Sequence, residues 1–349
     1  MVKEYRGSFA ILNKIQKPLI FQNLKIPEPN DHQLLIKIKY TYICGTQLNE
    51  INGNKGHDKY LPHVLGHEAS GEILKIGKKV KKFKLGDKVI VSWIKKSGQE
   101  YKNPFYINDK KKLINSGHVS TFSQMSLVSK TRVYKLPKGL PMDIGALFGC
   151  AIPTGFGIVF KHIKHIKKND FVGIYGAGGV GLMAILALKL LGINNIYVVD
   201  KNKKNLNIAR KFGCKNVYTP NILNKKIIDL KINKKSIKYN IEISGNKKMM
   251  EMAIQNLSVK GLCILAGNVR YGFKIKLNPY ELIFGKKILG FSGNDVSLDK
   301  NLEKYYKLIK KINYTKLRKN FKLYKFANIN KAIHEFKNGK TLRPLIKFN

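Results

Sequence analysis

The sequence predicts an α/β protein in two parts: a mostly-β part, and a doubly wound part built on a parallel sheet. Three observations carry this. From about 152 to 293, apolar strand runs alternate with helix-period segments, which implies a parallel sheet covered by helices on both faces. Inside that region a glycine-rich turn follows one strand and opens a helix. Before about 150, short alternating runs separated by turn residues read as strands with few helices.

In the first part, Gln33 to Ile43, Ser70 to Ile76 and Asp87 to Val91 read as strands, the last after a Gly86 turn. Trp93 to Gly117 is polar, lysine-rich and without period, so it reads as a surface lobe or long loop. Val119 to Arg132 reads as two more short strands. In the second part the strands are 171–175, 195–199, 239–243, 261–266 and 287–291, and the helices lie near 179–191, 202–212 and 246–256. From Asn294 onward two helical patterns, about 299–311 and 328–337, precede a terminal strand that includes Arg343 and Phe348.

The glycine turn reads Gly176-Ala177-Gly178-Gly179-Val180-Gly181, and Asp200 ends the next strand. Spacing of this kind is the dinucleotide-binding fingerprint when strand, turn and helix surround it. Gly176 allows the tight turn, Gly178 lets backbone approach a pyrophosphate, and Gly181 lets helix and strand pack closely. The helix start, with Gly179 and Val180, offers free N–H groups to the phosphates. Asp200 is placed to accept the ribose hydroxyls, which favours NAD over NADP. Phe171 to Leu188 carries no charge, but its five glycines and the lack of a second such segment argue against a membrane span.

Net charge is +45, which raises nucleic-acid binding as a function. Only six of the 66 basic residues are arginine, and the 60 lysines are scattered. Base and phosphate recognition favours arginine forks, so no specific nucleic-acid partner is expected. The four cysteines, 44, 150, 214 and 263, form no CxxC pair and no disulfide framework. With no apolar leader among the first residues, a reducing, cytoplasmic setting is expected.

Three residues before the nucleotide unit belong together by chemistry: Cys44 in Cys44-Gly45-Thr46, His67 in Gly66-His67-Glu68, and Cys150. Two thiolates and an imidazole suit a tetrahedral zinc with one open position. These motifs, with Pro153-Thr154-Gly155 and the glycine turn in the same order, resemble the zinc-dependent alcohol dehydrogenases of the medium-chain dehydrogenase/reductase superfamily. Gly86-Asp87-Lys88-Val89, Glu242-Ile243-Ser244-Gly245 and Arg343 extend the resemblance over essentially the whole chain.

The resemblance implies a GroES-like catalytic domain over 1–151, with 294–349 returning to it, and a Rossmann coenzyme domain over 152–293. It implies that Cys44, His67 and Cys150 hold catalytic zinc, with Glu68 close to the metal as an occasional ligand. Thr46 would bond the substrate hydroxyl, and Arg343 would meet the coenzyme pyrophosphate. The implied reaction is hydride transfer between an alcohol and NAD, giving an aldehyde or ketone. Polyol, sugar or cyclitol dehydrogenases, and a non-catalytic NAD-binding relative, are the alternatives. A homo-oligomer, dimer or tetramer, is implied as well. Three departures stand out. Gln47 replaces the common aspartate, Asn49 stands where some members have a proton-relaying histidine, and 93–118 lacks the four cysteines of a structural zinc. One zinc per chain is therefore expected.

Overall fold

The computed structural model describes residues 4–167, 169–222 and 237–349, so the first three residues of the N-terminal segment read above lie outside it. The chain divides into two compact units, 1–150 with 297–349, and 151–296. Residues 294–296 group with the second unit rather than with the returning C-terminal segment. The cause is local packing. A Cβ added at Gly157 would stand 2.2 Å from Val296 Cγ2, and Lys161 Nζ donates to the Asp295 carbonyl at 3.3 Å.

The first unit holds a closed five-stranded barrel and a seven-stranded sheet. Gln33–Tyr42 is the axis of that sheet, pairing with Glu68–Ile76 on one side and with Met125–Ser129 and Leu345–Lys347 on the other. Successive side chains of a strand point to opposite faces. Leu34, Ile36 and Ile38 accordingly enter one core cluster, while Leu35 enters another. Leu34, Leu35 and Ile36 are buried whichever face they take, while Lys37 and Lys39 stay partly exposed between buried or half-buried neighbours, which is the alternation the sequence shows.

The lobe from Trp93 to Gly117 is not all loop. Tyr106–Ile107 and Leu113–Ser116 are short strands that complete the barrel. Tyr106 is fully buried, its ring 4.5 Å from that of Phe9, and its hydroxyl accepts the Leu127 N–H at 3.2 Å. Strands of two to four residues are too short to show a period, so the sequence pattern passed over them. Val119 to Arg132 likewise holds one strand, Met125–Ser129, followed by a single turn at Lys130–Arg132.

The second unit carries a six-stranded sheet among the described residues. Its order is Asn216–Tyr218, Ile196–Val199, Phe171–Tyr175, Ile237–Glu242, Leu262–Leu265, Lys287–Gly290. All neighbours are parallel. Asn202 and Asn246 start the helices Lys203–Lys211 and Lys247–Gln255 by accepting from the N–H groups of Lys204 (2.9 Å) and Met249 (3.2 Å). Strand order reverses between Phe171–Tyr175 and Ile237–Glu242, and ligands of such sheets bind outside the carboxyl ends of the strands at that point. Among the described residues no single helix is long and apolar enough to cross a membrane.

Glu242 closes its strand at this edge, paired in register with Tyr175. Its Oε1 accepts from the N–H groups of Ser244 (2.8 Å) and Gly245 (3.1 Å) and from the Ser244 hydroxyl. Its Oε2 is buried and makes no hydrogen bond. Burial pushes the carboxyl up to about 7 from an ordinary 4.5, against the opposing bonds from Ser244 and Gly245. An acid with a raised folded pKa keeps a proton that the unfolded chain has already released. Stability therefore falls as pH rises from about 4.5 to 7, and the loss is complete above that window. We expect Glu242→Gln to gain up to about 3 kcal/mol relative to the parent between pH 5 and pH 8. Urea midpoints of both proteins at the two pH values measure it; a pH-independent difference would contradict the assignment.

Candidate metal centre and coenzyme turn

Cys44 precedes the short helix Gly45–Ile51, which starts where Gln33–Tyr42 ends. His67 follows Gly66, whose φ of +95° is glycine-like and whose hypothetical Cβ would stand 2.4 Å from Thr121 Oγ1 and 2.8 Å from the Phe122 nitrogen. That close approach turns the chain so that His67 enters the unit just before Glu68–Ile76. The His67 carbonyl accepts the Trp93 N–H at 3.0 Å. Cys150 comes from the turn Leu147–Gly149, packed on Glu68. A Cβ at Gly149 would stand 2.6 Å from Glu68 Cβ, and Ser92 Oγ donates to the Gly149 carbonyl at 2.8 Å.

These three placements bring one ligand atom each from Cys44, His67 and Cys150 within 4.8 Å of one another. Residues 23 to 106 apart in sequence thus meet in one cluster. The His67 ring is held from its far side, with Nδ1 2.6 Å from Gln47 Nε2, while Nε2 is buried and makes no hydrogen bond. The two thiols are strongly linked. The Cys150 thiol hydrogen-bonds to Cys44 and, helped by the Arg343 charge, holds Cys44 well below the usual thiol range despite burial. The same bond, with burial, pushes Cys150 up. Thr46 Oγ1 lies 3.9 Å from Cys44 Sγ. The Asn49 amide oxygen accepts from Asn54 Nδ2 at 3.1 Å, which commits that side chain to its own loop.

Glu68 and Arg343 complete the cluster. Arg343 is 2% exposed and Glu68 is wholly buried. Arg343 Nε donates to Glu68 Oε1 at 3.0 Å, and Nη2 donates to the same oxygen. Within the first unit Arg343, which the family resemblance directs to a pyrophosphate, has this carboxylate as its partner. The reason is register. Leu345–Lys347 pairs with Gln33–Tyr42, and the Ile43 N–H donates to the Pro344 carbonyl at 3.0 Å. Arg343 is thereby fixed beside the start of the Cys44 segment. Burial raises the Glu68 pKa, opposed first by Arg343. Burial works against the Arg343 charge, yet Cys44, Glu68 and Cys150 hold that charge firmly in place. Glu68 Oε2 makes no hydrogen bond. Neither this pairing nor the Gln47 contact had a sequence signal beyond the motifs that contain them.

The donor set fits a divalent cation. Both thiols as thiolates, with Glu68, carry three negative charges, and Arg343 returns one positive. A dication brings the buried cluster to neutrality. It would also meet the bare His67 Nε2, a buried nitrogen otherwise without a partner.

In the second unit, Gly176 has φ +101°, and a Cβ there would stand 2.7 Å from the Ser244 nitrogen. A Cβ at Gly181 would stand 2.0 Å from the Gly176 carbonyl oxygen, so the helix Gly179–Leu190 sits directly on the turn. A Cβ at Gly178 meets nothing within 4 Å, so that backbone faces open space. Asp200 has more duties than the sequence suggested. Its carboxylate accepts the N–H groups of Ala177 (2.7 Å) and Asn202 (2.7 Å) and the Asn205 amide (3.2 Å). It ties the glycine turn to the end of the neighbouring strand and keeps roughly one of about four lone-pair positions for a ligand hydroxyl.

The family model of the alcohol dehydrogenase GroES-like domain matches residues 30–138, and that of the zinc-binding dehydrogenase matches 179–312. The chain is 28% identical over 382 residues to alcohol dehydrogenase-like 2 of Arabidopsis thaliana, covering 99% of this chain and 97% of the relative. It is 26% identical over 377 residues to the S-(hydroxymethyl)glutathione dehydrogenase of Saccharomyces cerevisiae, covering 97% and 95%. Benzyl alcohol dehydrogenase from Acinetobacter calcoaceticus matches in structure with a TM-score of 0.86 at 26% identity, over 99% of this chain and 100% of that one. The chain therefore belongs to the zinc-dependent alcohol dehydrogenase family of the medium-chain dehydrogenase/reductase superfamily, and it is an alcohol-dehydrogenase-type oxidoreductase built from a GroES-like and a Rossmann-type part.

Proposed function

We propose that this oxidoreductase uses one zinc ion and NAD to interconvert a primary or secondary alcohol with its aldehyde or ketone. The observation that carries the metal is the convergence of Cys44, His67 and Cys150 around a bare, buried imidazole nitrogen. The glycine turn at the reversal point of the sheet, with Asp200 behind it, supports the coenzyme. Zinc would supply Lewis acidity toward the alcohol oxygen, and the nicotinamide would supply the hydride acceptor.

The chain's own residues supply the rest. Thr46 places a hydroxyl beside Cys44 Sγ, where it orients the alcohol and takes its proton-side hydrogen bond. Asn49 cannot titrate and its amide oxygen accepts from Asn54, so Thr46 and solvent are the groups of this unit that would carry the proton away. The Glu68–Arg343 pair keeps the field around the ligands fixed while remaining dry. Gly178 admits the pyrophosphate to the helix start at Gly179 and Val180. Asp200 holds the turn and disfavours a 2′-phosphate by its charge.

One metal per chain is part of this proposal. Among the described residues the one group with ligand geometry is Cys44, His67 and Cys150. Cys214 and Cys263 are buried thiols pushed up by burial to about 11 and about 12, as packed core groups are. Four buried cysteines that form no disulfide support a cytoplasmic setting. We also propose a homodimer through the Lys287–Gly290 edge of the sheet. The segment before that edge exposes Tyr271, Phe273, Tyr280, Ile283 and Phe284, an apolar surface next to an open strand.

Four measurements test these statements. Activity of the purified protein on a panel of alcohols with NAD, with one zinc per chain by elemental analysis, is expected. Thr46→Val should lose on the order of 10²-fold in kcat/KM while keeping its zinc, and near-full activity of that variant would remove Thr46 from the proton route. For the coenzyme, Asp200→Asn keeps an acceptor for the Ala177 N–H but drops the charge, so the NADP-to-NAD ratio of kcat/KM should rise by roughly tenfold, a change of about 1.4 kcal/mol; an unchanged ratio would mean that Asp200 does not read the ribose. Sedimentation at moderate salt, which screens repulsion between two chains of charge +45, should give twice the 39.7 kDa chain mass. A monomer would rule out the edge pairing.

A further inference from the structure

We propose that Gln47 sets how tightly the centre holds its metal, because its single amide oxygen is needed by two N–H groups that belong to two of the ligands. The inference rests on the metal reading of Cys44, His67 and Cys150 given above. Gln47 is 1% exposed, so no solvent arbitrates its contacts. Its Oε1 accepts the backbone N–H of Cys44 at 2.9 Å. Its Nε2 stands 2.6 Å from His67 Nδ1. One side chain therefore bridges two residues of the cluster, and its two ends are not equivalent. A carboxamide accepts only at oxygen and donates only at nitrogen.

This polarity meets a requirement of the ring. A neutral imidazole that ligates through Nε2 carries its proton on Nδ1, and the partner of Nδ1 fixes that tautomer. With Oε1 on Cys44, the Nδ1–H of a ligating His67 faces the amide NH₂, donor against donor. Turning the amide over gives the oxygen to Nδ1–H but sets NH₂ against the Cys44 N–H. Either orientation leaves one buried donor without an acceptor whenever His67 ligates. A carboxylate in the same place accepts from both. Gln47 thus acts as a positioning residue that holds the two ligands together and lowers the grip of the site on its cation.

The test uses the full-length protein stripped of metal and titrated with Zn²⁺ against a chromophoric chelator. Gln47→Glu, which accepts at both ends, should bind Zn²⁺ about 10- to 100-fold more tightly than the parent, the range typical of groups that support a metal ligand. Gln47→Met, which keeps length and removes both bonds, should bind more weakly. A proton readout separates hydrogen bonding from added charge. In the zinc-loaded parent, either the His67 Nδ1–H or the Cys44 N–H should show the upfield shift of an unbonded proton, and in Gln47→Glu both should move downfield. This parent measurement stands even if a variant fails to fold. Equal or weaker Zn²⁺ binding by Gln47→Glu overturns the inference, and so do two downfield protons in the zinc-loaded parent. Tighter binding with unshifted protons overturns it too, since charge alone would then be responsible. A parent that takes up no Zn²⁺ overturns the metal reading, and this inference with it.

Discussion

Charge balance in one buried cluster constrains the first unit more than any other interaction. Two cysteines, a glutamate and an arginine, all buried, cluster around His67. Burying any one of these charges alone would be costly, so the group is stable only as a set. Arg343 offsets Glu68, and the Cys44–Cys150 pair is tuned by both. Removing a single member leaves an uncompensated charge in the interior. The fold therefore has to deliver all five residues together, from four separate stretches of chain.

The strand Gln33–Tyr42 makes that delivery possible. Its end leads into Cys44. Its neighbour Glu68–Ile76 begins with Glu68, directly after His67, and Thr41 Oγ1 donates to the Glu68 carbonyl at 2.6 Å. Its other neighbour, Leu345–Lys347, carries Arg343 in from the C-terminus. Cys150 arrives on a turn pressed against the same Glu68. The apolar, two-faced character of the central strand is what fixes these registers, because a slip of one residue would exchange Leu35 with its neighbours between two cores. The hydrophobic pattern and the position of the ligands are thus one constraint.

How much of this was legible in the sequence follows from the kind of signal each part leaves. The glycine turn and the motifs around Cys44, His67 and Cys150 are marked by local chemistry, and Gly66, Gly176 and Gly181 stand where a side chain has no room. Such residues mark themselves. Five of the six strands described in the second unit were also readable as short runs between turns, whereas Asn216–Tyr218, three residues long, leaves no run to read. Tyr106–Ile107 and Leu113–Ser116 were not readable either, because their strand character comes from barrel closure and not from their own pattern. The partner of Arg343 and the contact of Gln47 with His67 depend on which distant strands become neighbours. No spacing within a single motif encodes that, although the residue types at both positions were the ones in view.

The few arginines show why a lysine-rich chain keeps them at all. Lysine serves wherever a solvated positive charge suffices. Four of the six arginines instead grip carboxylates: Arg343 holds Glu68, Arg132 holds Glu100, Arg318 holds Asp143, and Arg6 holds Glu4 and Asp109. A planar fork makes two directed bonds where an ammonium makes a point contact. Arg132 shows the consequence. Its Nη2 donates to Glu100 Oε2 at 2.7 Å, its Nε donates to Oε1, and its Nη1 donates to the Trp93 carbonyl. It thereby ties down the cysteine-free lobe that begins at Trp93, where the ring of Tyr101 also stacks on His32 at 4.7 Å. With four of the six arginines engaged in this way, the positive surface is mainly a diffuse lysine field, attractive to anions in general and screened by salt.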